Sequence, residues 1–159
     1  MNSSRNTISP LQHSSAFDLS FRLKQPQPIN PKACVVLLHG VGGSEMNLAD
    51  LATAINPDIL VILPRGLIQF TPEQFGWFRV TFTSSGPNID EVEAEQSRQT
   101  LIRFIGQLQS AYGIAPENTV IAGFSQGGII SASVALSAPE RVAAFGMLSG
   151  RILSELAPH

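Results

Sequence analysis

The chain has 159 residues, of which 43% are hydrophobic and 14% charged, and its formal net charge is −2. This composition is sufficient for one folded domain with a buried core and differs from that of a disordered segment. The weak net charge and the scattered Lys and Arg residues argue against nucleic acid as a partner. The longest apolar runs fall far short of the ~20 residues that cross a membrane, so a membrane span is not predicted.

The N-terminal residues and the single cysteine indicate the cellular compartment of the protein. Residues 1–15 are rich in Ser and Asn and contain no apolar segment typical of a secretory signal. They predict a flexible tail, followed by one domain over residues 16–159. Cys34 stands in an apolar run, which predicts a buried, unreactive thiol and suits a reducing compartment. A cytoplasmic protein is therefore expected.

The first predicted elements are two strands of different character. Apolar residues at every second position over residues 17–23 predict a strand with one wet face, typical of an antiparallel edge. Residues 24–32 include three prolines and predict a loop. Residues 34–38 are apolar throughout, which is typical of a strand covered on both faces.

Helices and strands alternate through the remainder of the chain. The predicted order is a helix near residues 48–55, a strand at 59–63, an irregular aromatic segment at 65–87, a helix at 90–112, a strand at 119–122, a helix at 126–137 and a strand at 143–148. Fully apolar strands that alternate with helices predict a mostly parallel sheet with helices on both faces. The expected fold class is α/β.

The segment Gly123-Phe124-Ser125-Gln126-Gly127 carries the clearest chemical signal. It follows a predicted strand and precedes a predicted helix, which is the context in which Gly-x-Ser-x-Gly forms a nucleophile elbow. The tight turn strains the serine backbone, and glycines two residues away on either side avoid a side-chain clash. Ser125 is the predicted nucleophile, placed at a helix N-terminus that favours negative charge. A chance match to a short pattern is the alternative.

A second glycine-rich segment, His39-Gly40-Val41-Gly42-Gly43, follows the first fully buried strand. In hydrolases of this architecture a loop at this place donates one backbone N–H to the oxyanion hole, and the residue after the nucleophile donates another. The corresponding residues here are Val41 and Gln126. A phosphate-binding loop is disfavoured because neither a following Gly-Lys-Ser/Thr nor the third glycine of a dinucleotide motif is present. His39 is predicted to be structural.

The sequence resembles the carboxylesterase/phospholipase family of α/β hydrolases, which includes acyl-protein thioesterases and bacterial serine esterases. The resemblance runs from about residue 33 to 150 and is carried by residues 37–43, by Gly76-Trp77-Phe78 and by residues 121–128. It implies hydrolysis of a small-molecule ester or thioester through an acyl-enzyme on Ser125, without a cofactor or a metal. It also places Trp77 and Phe78 near the acyl pocket, with a packed aromatic loop as the alternative. Homodimer formation is left open.

The sequence departs from the family pattern after the nucleophile. The family order is Ser, Asp, His, yet no Asp follows Ser125 and the last histidine is His159. A pair formed by Glu155 and His159 is disfavoured because nothing would hold it above the sheet, and Glu140 lies where a helix ends. The expectation is a partial α/β-hydrolase domain whose last strands, acid and histidine lie beyond residue 159.

Two other interpretations stay open. The first is a catalytically incomplete fragment, or an acyl-binding module that keeps an ester-shaped pocket, because a serine without a base is a weak nucleophile. The second keeps the fold and changes the chemistry to dienelactone or peptide hydrolysis. A cysteine nucleophile is usual for dienelactone hydrolysis, so Ser125 argues against that reaction.

Overall fold

The computed structural model describes residues 6–148. In this range the elements follow one another as β1 (Thr7–Ile8), β2 (Phe21–Gln25), β3 (Cys34–Leu38), α1 (Ala49–Ala54), β4 (Leu60–Pro64), β5 (Ile68–Thr71), β6 (Gln74–Gly76), β7 (Val80–Thr83), β8 (Gly86–Ile89), α2 (Glu91–Tyr112), β9 (Thr119–Phe124), α3 (Gln126–Ser137) and β10 (Ala144–Leu148). Short 3-10 helices cover Glu45–Leu48 and Pro116–Asn118.

Six strands form the main sheet, in the order β1-β2-β4-β3-β9-β10. The pairs among β3, β4, β9 and β10 are parallel, whereas β1 and β2 add antiparallel pairs on one side. The fully apolar runs of the sequence form the central parallel strands, because such strands bury side chains on both faces. This arrangement confirms the predicted mostly parallel sheet.

Side chains that alternate along β3 divide the core between the two faces of the sheet. Val36 and Leu38 belong to a large cluster that includes residues of α2 and α3, whereas Leu37 belongs to a smaller cluster with Ala52 of α1. Helices therefore cover both faces, as predicted. The large cluster contains the buried apolar residues of α2, namely Leu101, Phe104, Ile105 and Leu108.

The N-terminal region differs from the prediction. β2 begins at Phe21 rather than at residue 17, and part of the predicted flexible tail belongs to the sheet. Thr7–Ile8 pairs with β2, and the buried Ser9 hydroxyl accepts a hydrogen bond from the Leu23 N–H at 2.9 Å. A two-residue strand has no detectable periodicity, so the sequence could not show this pairing.

The aromatic segment between β4 and α2 is also more regular than predicted. Two antiparallel hairpins, β5–β6 and β7–β8, replace the expected irregular segment. Phe75 and Trp77 are buried, whereas Phe82 is exposed. Because both hairpins stand outside the main sheet, their strands lack a clean apolar alternation. None of the helices within residues 6–148 has both the length and the apolar character of a membrane span.

Candidate active site

The direction of the strand connections reverses at β3. The chain continues from β3 to β4 on one side, while β9 lies on the other side and is followed by β10 farther out. Loops that leave the carboxyl ends of β3 and β9 therefore diverge and form a crevice, which is where ligands bind in sheets of this kind. The two predicted motifs meet there, since a Cβ atom built on Gly40 would lie 3.5 Å from the Cβ of Ser125.

Ser125 forms the turn between β9 and α3. β9 ends at Phe124 and α3 begins at Gln126, so a single residue reverses the chain. Ser125 has φ 56° and ψ −115°, which side-chain-bearing residues rarely adopt and which stores backbone strain. Its carbonyl oxygen accepts the first hydrogen bonds of α3, but its side chain does not cap the helix. The half-buried hydroxyl is thus left for other contacts.

Two glycines make this turn sterically possible. A Cβ atom on Gly123 would lie 2.3 Å from the carbonyl carbon of Gly127. A Cβ atom on Gly127 would lie 2.3 Å from the Leu38 carbonyl oxygen. Both distances are far inside van der Waals contact with rigid backbone. The close approach that the sequence predicted for Gly-x-Ser-x-Gly is therefore present.

The amides predicted for the oxyanion hole are those of Val41 and Gln126. Neither N–H donates to a backbone carbonyl within residues 6–148. By contrast, the Gly42 N–H donates to the Phe75 carbonyl at 2.8 Å, and the Gly43 N–H donates to the Gly40 carbonyl at 3.2 Å. The Gly42 and Gly43 amides are therefore held in structural bonds. Joint binding of one oxyanion by Val41 and Gln126 stays a prediction.

An open groove of about 390 Å³ lies beside the elbow. It is lined by Gly40, Val41, Asn47, Leu48 and Phe124. The side chains of Val41 and Phe124 are 50% and 39% exposed, so they present apolar surface to a ligand. A groove with mostly apolar walls and a few polar groups suits an uncharged acyl or alkyl chain.

The side chain of Gln126 joins the elbow to the aromatic segment, a contact that the sequence did not reveal. Its Oε1 accepts hydrogen bonds from the N–H groups of Trp77 at 2.6 Å and Phe78 at 3.3 Å. Its Nε2 donates to the Phe78 carbonyl at 2.7 Å. The carboxamide therefore pairs with the backbone of this segment in the manner of an adjacent strand.

Trp77 and Phe78 are themselves 0% and 1% exposed. Their side chains lie in the large core cluster, and the Trp77 Nε1–H donates to the His39 carbonyl at 2.9 Å. Neither side chain presents surface to a substrate. This packing favours the aromatic-core alternative over the acyl-pocket role that the resemblance implied.

Comparison with known proteins is in agreement with this geometry. Residues 25–157 match the phospholipase/carboxylesterase family. The chain belongs to this family. The family is named for enzymes that hydrolyse phospholipids and carboxylic esters.

Solved structures show the fold that this family shares. A carboxylesterase from Mesorhizobium loti is 22% identical with a TM-score of 0.71, covering 87% of this chain and 63% of that one. The Bacillus cereus carboxylesterase is 20% identical with a TM-score of 0.61, covering 89% and 57%. The acyl-protein thioesterase 2 of Zea mays is 18% identical with a TM-score of 0.56, covering 91% and 62%. The α/β-hydrolase fold is thereby confirmed, and the chain spans 57% to 63% of the length of these three proteins.

His39 has the structural role predicted for it. The Gly66 N–H donates to His39 Nε2 at 3.0 Å, so the proton resides on Nδ1, which donates to the Gly40 carbonyl at 2.7 Å. Burial lowers the pKa of His39, which keeps the ring neutral. The ring holds the glycine loop through its bond to the Gly40 carbonyl, and it has no nitrogen left to accept a proton from Ser125.

In the described part of the chain, the other histidine, glutamate and cysteine side chains that could take part in catalysis are not seen at the elbow. The exposed His13 ring shares a 2.6 Å hydrogen bond with the Ser20 hydroxyl, and Glu140 is exposed in the turn after α3. Glu155 and His159 lie outside the described residues. Burial raises the pKa of the Cys34 thiol, as expected for an unreactive cysteine. Within residues 6–148 the His, Cys, Asp and Glu side chains form no cluster that could hold a metal ion.

Proposed function

We propose that this chain carries the nucleophile and the oxyanion hole of a serine esterase or thioesterase. The observation that supports this most directly is the strained, half-buried Ser125 at the N-terminus of α3, beside Gly40 of the glycine loop after β3. Backbone strain of this kind at a side-chain-bearing residue concentrates at functional sites.

The reaction follows from the chemistry of a serine nucleophile. The Ser125 oxygen attacks the carbonyl carbon of the substrate while its proton passes to a general base. The carbonyl oxygen becomes an oxyanion that accepts hydrogen bonds from the Val41 and Gln126 N–H groups. The tetrahedral intermediate then expels the alcohol or thiol, which takes up the proton from the base. Water attacks the resulting acyl-enzyme in the same way and releases the carboxylic acid.

The general base and its partner acid belong, in this proposal, to the part of the protein outside residues 6–148. His39 is excluded as the base because both of its nitrogens are occupied in structural bonds. The family order, in which the acid and the histidine follow the nucleophile, agrees with this assignment.

The groove beside the elbow is the proposed place for the apolar part of the substrate. Val41 and Phe124 supply exposed apolar surface close to Ser125. Because Trp77 and Phe78 are buried, their role in this proposal is to support Gln126 rather than to touch the acyl group. A small-molecule ester or thioester is the proposed substrate class, and a cytoplasmic location stays a prediction from the sequence.

Hydrolysis of p-nitrophenyl acetate by the full-length gene product tests the proposal. Ser125→Ala should lower the rate by about 1,000-fold or more, because loss of the nucleophile leaves only binding and oxyanion effects. Ser137→Ala is the matched control, since Ser137 lies at the far end of the same helix and is exposed. Equal rates for the wild-type protein and Ser125→Ala would exclude the proposal.

A fluorophosphonate probe separates the esterase from an acyl-binding module. Covalent labelling at Ser125, located by mass spectrometry, requires an activated hydroxyl. We expect labelling of the wild-type protein and of Ser137→Ala, and none of Ser125→Ala. Binding of a fatty acid without labelling would instead indicate a module that keeps the groove and lacks the base.

A further inference from the structure

A buried carboxylate lies directly after the glycine loop. Glu45 begins the 3-10 helix Glu45–Leu48 and is 1% exposed. Its Oε1 accepts hydrogen bonds from Arg22 Nε at 2.8 Å and from Arg65 Nη2 at 2.7 Å, and its Oε2 accepts one from Arg65 Nε at 2.9 Å. We call Arg22, Glu45 and Arg65 the Glu45 clamp.

The clamp is held in a single charge state. Burial alone would raise the pKa of Glu45, but the hydrogen bonds from Arg65 and Arg22 outweigh burial and lower the pKa to about 2. The carboxylate is thus ionised at any pH at which an esterase works. Two-point bonding by Arg65 also fixes the direction of the carboxylate, which a single contact would not do.

The three residues lie on or after three different strands of the sheet. Arg22 lies on β2, Arg65 directly follows β4, and Glu45 follows the loop that leaves β3. Each of these strands is fixed by its neighbours in the main sheet. The clamp therefore ties the C-terminal end of the glycine loop to a rigid support.

A second set of contacts connects the clamp to the loop itself. The Arg65 guanidinium lies 4.2 Å above the Phe75 ring, a cation–π contact. Phe75 in turn pairs with the loop, since its N–H donates to the Gly43 carbonyl and its carbonyl accepts from the Gly42 N–H, both at 2.8 Å. Displacement of Arg65 would thus disturb the residues that immediately follow Val41.

We propose that Glu45 is a positioning residue for the oxyanion hole: through Arg65 and Phe75 it fixes the orientation of loop residues 40–43 and thereby of the Val41 N–H. This inference rests on the proposed function. Glu45 does not touch the substrate, so its effect is on transition-state stabilisation and not on ground-state binding.

Glu45→Gln is the main test, with p-nitrophenyl acetate as substrate of the full-length gene product. The amide keeps the size of the side chain but brings an NH2 group against a guanidinium, so the two-point pairing is lost. We expect kcat to fall about 10- to 100-fold, since a displaced catalytic group costs rate on this scale. KM should stay within about twofold, because binding of the uncharged ester does not involve the clamp.

A transition-state analogue gives a readout that lost stability alone would not change. A trifluoromethyl ketone forms a hemiketal oxyanion on the serine, so its inhibition constant should rise in Glu45→Gln by the same factor as kcat/KM falls. Glu95→Gln is the matched control, because Glu95 also pairs with an arginine, Arg98, but on the exposed side of α2. We expect Glu95→Gln to leave kcat and the inhibition constant unchanged.

Arg22→Lys keeps the inference testable if Glu45→Gln does not fold. Lysine preserves the positive charge and leaves the pairing of Arg65 with Glu45 intact, so a smaller loss of kcat, about 2- to 10-fold, is expected. Unchanged kcat and inhibition constant in both clamp variants, with Ser125→Ala inactive, would overturn the positioning role and leave the esterase proposal standing. Absence of Ser125-dependent hydrolysis in the wild-type protein would overturn both.

Discussion

The elbow at residues 123–127 and the glycine loop at residues 39–43, the two halves of the proposed site, are held in place in different ways. The elbow is recognisable from residues close in sequence, since a Cβ on Gly123 would collide with Gly127, although Gly127 also packs against the distant Leu38 carbonyl. The loop is set by residues distant in sequence, through the clamp and through the pairing of Gly43 with Phe75. The elbow can therefore be recognised as a sequence motif, whereas the contacts that hold the glycine loop can be recognised only in the structure.

The elbow and the glycine loop should differ in how strongly a single substitution destabilises them. A local steric constraint fails completely when one atom is added, because the backbone has no room to move. A support built from several distant contacts weakens gradually, because each contact carries part of the stabilisation. The two halves should therefore respond to mutation with different magnitudes.

The largest effect is expected for Gly123→Ala. The new Cβ atom would lie 2.3 Å from the Gly127 carbonyl carbon, so the elbow must open or the strand must shift. We expect a loss of about 3 kcal/mol or more in the free energy of unfolding, measured by urea denaturation.

Gly106→Ala in α2 is the control for Gly123→Ala. Its Cβ atom would lie 3.3 Å from the flexible Arg141 guanidinium, and alanine favours helix, so this variant should be as stable as the wild-type protein or about 1 kcal/mol more stable. If the two glycine variants unfold at similar urea concentrations, the elbow is not under a local steric constraint.

The contribution of the clamp is expected to depend on pH. Hydrogen bonds lower the pKa of Glu45 from its ordinary 4.5 to about 2 despite burial. Glu45 is therefore protonated only at a lower pH in the native state than in the unfolded chain. The stabilisation is full above pH 4.5 and is lost as the pH falls towards 2. It amounts to about 3 kcal/mol by linkage.

The measurement is the free energy of unfolding from pH 7 to pH 2 for the wild-type protein and for Glu45→Gln. The difference between them should shrink through the window from pH 4.5 to 2, because glutamine does not titrate. A difference that stays constant over this window would show that the ionised carboxylate is not what stabilises the loop.

Gln126→Met tests how much the hydrogen bonds between the elbow and the distant aromatic segment contribute to stability. Methionine preserves the length of the side chain but leaves the Trp77 N–H and the Phe78 carbonyl without their partner. Unsatisfied buried groups of this kind should cost about 1 to 3 kcal/mol in thermal or urea unfolding. Gln99→Met on the exposed side of α2 should stay within about 0.5 kcal/mol of the wild-type protein, and a similar loss in both variants would count against the carboxamide pairing.

The smallest effect concerns the strain at Ser125. Glycine tolerates φ 56° better than alanine does, so Ser125→Gly should be more stable than Ser125→Ala by about 0.5 to 1 kcal/mol. At Ser137, the last residue of α3, the order should reverse because glycine disfavours helix. The same order at both positions, measured by thermal unfolding, would mean that the elbow is not strained.

The sequence predicted those features that depend on neighbouring residues. Strand β3 and helix α3 have the predicted bounds, and the elbow geometry follows from Gly123 and Gly127. Buried strands are recognised because every residue in them is apolar, and the α/β architecture follows from their alternation with helices.

The features that the sequence did not predict depend on distant residues. Glu45 is 20 residues from Arg65, and the Gln126 carboxamide is 49 residues from Trp77, so no spacing rule connects them. The resemblance alone could not decide between the two interpretations of Trp77 and Phe78, because an aromatic segment is equally suited to a pocket wall and to a core. The hairpins at residues 68–89 were missed since short strands outside the main sheet need not alternate.

The pairing of β1 has a practical consequence for handling the protein. The Ser9 carbonyl accepts a hydrogen bond from Arg22 at 3.4 Å, and the Asn6 carboxamide donates to the Thr53 carbonyl at 2.8 Å. Ser9, next to β1, is thus connected through Arg22 to the Glu45 carboxylate that follows the glycine loop. Removal of residues 6–9 would break that connection, so truncations made for enzyme assays should leave these residues in place.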